Sequence, residues 1–118
     1  MRYMMLLKMD PSTAPAQGPS EELMTEMGKL LEEMTKAGVL LDTGGLSPLE
    51  QGSVVRLAHG RQTVLDGPFT EAKEVVGGYF VFQTKSQDEA VEWASRFLAI
   101  HGDVWQLTAE IRQIQEAE

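Results

Sequence analysis

An α+β domain with two helices on one face of an antiparallel sheet is the fold class this chain predicts. Three observations carry that reading. Two segments hold apolar residues at helical spacing between recognisable caps. Several short β-prone runs surround them, two of which are apolar on both faces. The order along the chain is strand, helix, strand, hairpin strands, strand, helix, strand. With 118 residues and no internal period, one domain spanning 1–118 is expected.

The first strand is residues 2–9, where Tyr3, Met5, Leu7 and Met9 alternate with Met4 and Leu6, so both faces are apolar. Residues 10–19, DPSTAPAQGP, have no periodicity and read as a loop, with a mobile lid as the alternative. Ser20 can cap a helix over 20–37, Glu21 and Glu22 suit its positive end, and Gly38 suits the left-handed position beyond its last turn. Leu23, Met24, Met27, Leu30, Leu31 and Met34 fall on one stripe of that helix. The methionines read as adaptable core packing; a ligand-lining surface is the competing reading.

VLLDTGGL at 39–46 is a strand running into a glycine kink, followed by turn material. Val54–Ala58 and Gln62–Leu65 form a hairpin joined through His59, Gly60 and Arg61, which puts His59 at the tip as a solvated turn residue. Gly77 and Gly78 precede a strand at 79–84, in which Tyr79 and Val81 point one way and Phe80 and Phe82 the other. Ser86 and Glu89 make a capping box for a second helix with the stripe Ala90, Val91, Ala94, Phe97 and Leu98, ending at His101 and Gly102. A histidine in a last turn is ordinary, since that end carries partial negative charge, and His101 receives no catalytic role. From Trp105 to Arg112, apolar and polar residues alternate as in a strand with one buried face.

Composition narrows the function. Ten Lys and Arg against 18 Asp and Glu give a net charge of −8, which repels phosphate backbones and disfavours direct nucleic-acid binding. No apolar run is long enough to span a bilayer, the N-terminus does not resemble a signal peptide, and there is no cysteine, so a cytoplasmic, membrane-free protein is expected. The two histidines lie 42 positions apart and the carboxylates are scattered, so neither a metal site nor a cofactor is expected. Phosphate-loop, nucleophile-elbow and dinucleotide motifs are absent.

Two helices cover only one face of a sheet, yet two strands are apolar on both. Leaving the second face in water would forfeit about 1.5–3 kcal/mol for each larger side chain. A homodimer in which two sheets face each other across a barrel-like interior is therefore expected.

The segment VLDGPFTEAKEVVGGYF at 64–80 is a specialised turn and a candidate site. An aspartate usually closes a turn by accepting from the N–H two residues on, but Pro68 has none. Asp66 is left to accept from Gly67, Phe69 or Thr70, or to offer its carboxylate to a ligand, a proton or a basic side chain. Gly67 allows close backbone approach, Phe69 is thrown inward or across a cleft, and Thr70 can cap a single turn over 71–75. Lys73 is a surface ion-pair partner or a cation for an anionic group.

These residues resemble the YCII-related domain family, and within it the DGPF branch. The resemblance rests on Asp66-Gly67-Pro68-Phe69, the following TEAKE, and GGYF before the next strand. YMMLL at the start, AGVLL after the first helix, DEAVEWA in the second and EIRQI near the end support it. It implies a ferredoxin-like, dimeric α+β barrel. It also implies an acidic group paired with a histidine in a cleft; Asp66 fits the acid, while residues 1–58 contain no histidine.

Two functions are expected from these readings. The first is binding or transformation of a small molecule in a dimer-associated cleft containing Asp66, Phe69, Lys73 and Tyr79, with Asp66 as proton acceptor or polar anchor. The second, implied by the resemblance, is a non-enzymatic regulatory domain that contacts sigma-factor transcription machinery through protein rather than DNA.

Overall fold

The computed structural model describes residues 1–66 and 74–116. Its strands are β1 (Arg2–Met9), β2 (Leu40–Gly45), β3 (Ser53–Ala58), β4 (Arg61–Asp66), β5 (Val75–Gln83) and β6 (Thr108–Gln113), and its helices are α1 (Glu21–Lys36) and α2 (Gln87–Ala99). Four strands form an antiparallel sheet in the order β2-β5-β1-β6, the ferredoxin-like arrangement, while β3 and β4 pair only with each other.

Both helices start where their capping residues allow. Ser20 Oγ accepts from Leu23 N–H, and Ser86 Oγ accepts from Glu89 N–H while the Glu89 carboxylate accepts from Lys85 N–H. Gly38 and Gly102, with φ of 73° and 70°, turn the chain out beyond α1 and α2. The ribbon turn is His59-Gly60, both residues at positive φ, so that Arg61 already pairs with Ala58 as the first residue of β4.

The alternation of β1 and β5 sorts cleanly. Tyr3, Met5, Phe80 and Phe82 face the helices and are buried with Leu30, Met34, Ala90, Ala94 and Phe97. Met4, Leu6, Tyr79 and Val81 share the opposite face and are half-buried. Phe80 and Phe97 meet edge to face at 4.8 Å, the preferred geometry for rings with a negative face and a positive rim. Val91, placed on the apolar stripe by spacing, is instead 42% exposed, because α2 turns Ala90 and Ala94 toward the sheet and leaves Val91 at its flank.

Three boundaries differ from expectation. β5 begins at Val75, so Gly77 and Gly78 lie inside a strand rather than ahead of one, and Val75 does not end a helical turn. The extra residue Gly77 is absorbed as a bulge opposite the Leu7/Lys8 step of β1. β6 begins only at Thr108. Its partner β1 stops at Met9, one residue beyond the Lys8–Thr108 pair, and Asp10 then caps a 3-10 turn at Pro11–Thr13, so Trp105 lies past the end of β1 despite its alternation.

The ribbon stands apart. Its substantial contacts are between its own two strands, and the radius of gyration is 16.2 Å, against about 13.5 Å expected for a compact chain of this length. On one of its faces Val55, Leu57 and Val64 are each at least 63% exposed. None of the helices is long and apolar enough to cross a membrane.

Phe82 is fully buried at the sheet centre, and Phe82→Ala should cost about 3–5 kcal/mol in denaturant unfolding. A loss under 1 kcal/mol would contradict this packing. Glu33, Glu110 and Glu116 are held below the usual carboxylate range, first by hydrogen bonds from Arg96, Lys8 and Arg2. A carboxyl lowered in the folded state adds stability above its unfolded pKa and loses it as pH falls through its folded pKa. Tm should therefore drop on acidification through and below the carboxylate range. Glu110→Gln should make that drop shallower by a small amount, as suits an exposed pair, and superimposable calorimetric Tm–pH profiles would show that the Lys8 pair contributes nothing.

Candidate functional site

On the helix-facing side of the sheet, side chains thin out toward one end. In register, Phe82 lies opposite Leu40, Phe80 opposite Thr43, and Gly78 opposite Gly45. Two hydrogens thus occupy the place of two side chains. The C-terminal half of α1 settles Leu30 and Met34 onto the aromatic part of this surface. Its N-terminal half, with Leu23, Met24, Met27 and Leu31, spans the glycine part and leaves a cleft of about 570 Å³.

Leu7 and Met9 of β1 extend the floor, Phe97 and His101 form the far wall, and Trp105 and Leu107 stand at the mouth. The volume is in the range of small-molecule sites, and the walls are mostly apolar with few polar groups, as such sites usually are. A Cβ added at Gly45 would meet no atom within 4 Å, so that position opens onto free space. One added at Gly78 would stand 3.0 Å from the Gly44 carbonyl oxygen. Gly78 therefore serves the close approach of β2 and β5, and Gly45 serves the cleft.

An aromatic series runs from the core to the mouth: Phe80 to Phe97, Phe97 to His101 at 5.0 Å, and His101 to Trp105 at 6.1 Å, all edge to face. His101 Nδ1 lies 2.9 Å from the Phe97 carbonyl oxygen. A carbonyl only accepts, so Nδ1 carries the hydrogen and donates. Of the remaining polar side chains, Thr43 donates its hydroxyl to the Tyr79 carbonyl, and Trp105 contributes an indole N–H.

The residues proposed from sequence occupy other places. Asp66 ends β4 on the exposed ribbon, where its carboxylate accepts from the Ser53 hydroxyl at 2.6 Å. The pair sits at the foot of the ribbon face that carries Val55, Val64 and Leu57. Tyr79 lies on the uncovered face of the main sheet. Its hydroxyl donates to Asp42 at 3.4 Å, and its ring lies so close to Gly44 that a Cβ there would stand 2.9 Å away. No hydrogen bond, ring contact or shared cavity joins Asp66 to Tyr79 among the described residues. Phe69 and Lys73, with the rest of the expected turn at 70–73, lie outside the described residues.

Sequence reasoning gave no binding role to His101, Trp105, Gly45 or Gly78. The signal for the glycines was present as two Gly-Gly pairs, but only strand pairing brings 45 beside 78. Among the described residues, no three His, Asp or Glu side chains converge to hold a metal ion.

Comparison with known proteins agrees with the motifs. The model of the YCII-related domain family matches residues 1–109. The chain is also similar to an uncharacterised protein of Rhizobium meliloti (strain 1021), at 30% identity over 96 residues, covering 80% of this chain and 77% of that one. With the family model spanning most of its length and this relative aligned along the same region, the chain belongs to the YCII-related domain family.

Proposed function

We propose that this domain binds a small molecule, and that the cleft between α1 and the glycine end of the sheet receives it. The observation that carries the reading is the bare floor: Gly45 and Gly78 side by side under the unpacked half of an otherwise well-packed helix. An empty apolar gap of this size costs packing energy in a domain that fills the rest of its core, and a ligand would restore those contacts.

The same reading takes the functional unit to be a homodimer. The uncovered sheet face presents Met4, Leu6, Tyr79 and Val81, and its charges are mixed, with Arg2, Lys8 and Arg112 beside Asp42, Glu110, the Glu116 that binds Arg2 and the Glu74 that acts on Lys8. An apolar-centred patch with charges of both signs, on a chain of net charge −8, suits a second copy of itself through a two-fold contact. The ribbon adds a second apolar surface. An isolated two-stranded ribbon is marginal in water, and covering Val55, Leu57 and Val64 would stabilise it by about 1.5–3 kcal/mol per side chain. Asp66, fixed by Ser53 at the foot of that face, is then the polar anchor of a pocket completed by the second copy.

Three variants test these assignments. Gly45→Leu fills the cleft from a position with free space and no positive φ, so its Tm should stay within about 2 °C of wild type. Apolar metabolites that stabilise the wild type in a thermal-shift screen should lose at least about tenfold in affinity for the variant, the scale of 1.4 kcal/mol. Hits that bind both proteins equally would remove the cleft from the reading. Asp66→Asn should abolish stabilisation by any compound held at the ribbon while leaving cleft binders untouched; if every hit ignores the substitution, Asp66 is a turn residue only. Leu57→Asp should shift sedimentation at micromolar concentration from dimer toward monomer, and a wild type that sediments as a monomer would end the dimer proposal.

A further inference from the structure

We infer that the cleft is selective for a neutral, largely apolar molecule bearing one hydroxyl group, which is placed between His101 and Trp105. This rests on the cleft being a ligand site and goes on to name what it takes.

The fold leaves two polar atoms of the cleft unused. Nδ1–H of His101 is committed to the Phe97 carbonyl, so in the neutral ring Nε2 is an acceptor. The Trp105 indole N–H is a donor only. Neither atom has a hydrogen-bond partner among the described residues, and no buried polar side-chain atom there goes unpaired. Both atoms therefore reach accessible space. The two rings stand 6.1 Å apart, where the cleft meets a neighbouring hollow of about 440 Å³. An acceptor and a donor at one mouth are matched by a group that both donates and accepts, and a hydroxyl is the smallest such group.

Charge excludes the main alternatives. Among the described residues no Lys, Arg, Asp or Glu lines the cleft itself, so neither a carboxylate nor an ammonium buried in it finds a counter-charge; Glu22 and Glu26 line the adjoining hollow, outside it. The net charge of −8 further disfavours anions. An ether fails for a different reason, since it can accept from Trp105 but offers nothing to Nε2.

The test uses the wild-type protein and four probes of one shape: 1-naphthol, 1-methoxynaphthalene, naphthalene and 1-naphthoate, titrated by calorimetry or intrinsic tryptophan fluorescence. Naphthol should bind roughly tenfold more tightly than the ether or the hydrocarbon, the scale of one or two net hydrogen bonds. His101→Phe keeps an aromatic ring in the series and removes the acceptor; it should bring naphthol to within about threefold of naphthalene without weakening naphthalene. Its Tm identifies a folding defect, and the comparison of probes on the wild type stands whether or not the variant folds. Equal binding of the three neutral probes, lost in Gly45→Leu, would overturn hydroxyl recognition while leaving the cleft as a ligand site. Preference for naphthoate would overturn it as well. No binding by any probe also overturns it, and the metabolite screen with Gly45→Leu then decides the cleft separately.

Discussion

Along the helix-facing side of β5 the side chains fall from benzyl to hydrogen between Phe80 and Gly78, and much of the molecule is arranged around that step. Where the rings stand, α1 and α2 dock, and Phe82, Phe80 and Phe97 make the centre of the core. Where the glycines stand, β2 approaches β5 closely, since a Cβ at Gly78 would press on the Gly44 carbonyl. A single straight helix cannot follow both levels. α1 is 16 residues long, about 24 Å, and it settles on the higher, aromatic part. The space beneath its first turns is thus a geometric consequence of one rigid rod over a stepped floor.

The opposite face obeys a different constraint. There Met4, Leu6, Tyr79 and Val81 have no helix above them among the described residues, yet they are bordered by both cations and anions. A monomer gains nothing from apolar residues in that position, and a surface of mixed charge is poorly suited to a strongly basic or strongly acidic partner. A two-fold contact between copies of the same chain, as proposed above, would cover the apolar residues and set this mixed surface against itself. The projecting ribbon, with Val55, Leu57 and Val64 exposed on one face and Arg56 and Arg61 beside Val54 and Leu65 on the other, has the same requirement for cover.

The sequence made the regular parts legible because their signals are local. Ser20, Ser86, Gly38 and Gly102 mark the helix ends by backbone chemistry that involves a few adjacent residues, and the structure agrees with each. The double-sided alternation of β1 and β5 also survived. What escaped was whatever depends on a partner distant in sequence. Trp105 alternates with its neighbours like a strand residue, but whether it pairs is decided by Asp10, far away in sequence, where β1 has ended. Gly45 and Gly78 form one feature only once β2 lies beside β5. The methionine stripe reads as core packing, and Met34 is fully buried in the core, whereas Met24 and Met27 line the cleft, which only the placement of α1 over the glycine end of the sheet opens. Asp66 was singled out because Pro68 withholds an N–H, and the carboxylate found a partner outside that reasoning, the hydroxyl of Ser53 across the ribbon.

The distribution of charge sets what kind of recognition each region can perform. Among the described residues the ion pairs lie on the solvent faces of the helices and on the uncovered sheet face, and no acid or base lines the cleft. A site without ions cannot draw its affinity from Coulomb attraction, so burial must supply it. Covering about 200 Å² of apolar ligand surface at about 25 cal/mol per Å² yields roughly 5 kcal/mol before the cost of immobilising the ligand. A ligand held in the proposed way would be bound modestly and selected first by shape. A hydrogen-bonding pair at the mouth would then matter more for which molecule enters than for how tightly it is held, because a ligand lacking the matching group would leave His101 and Trp105 unpaired.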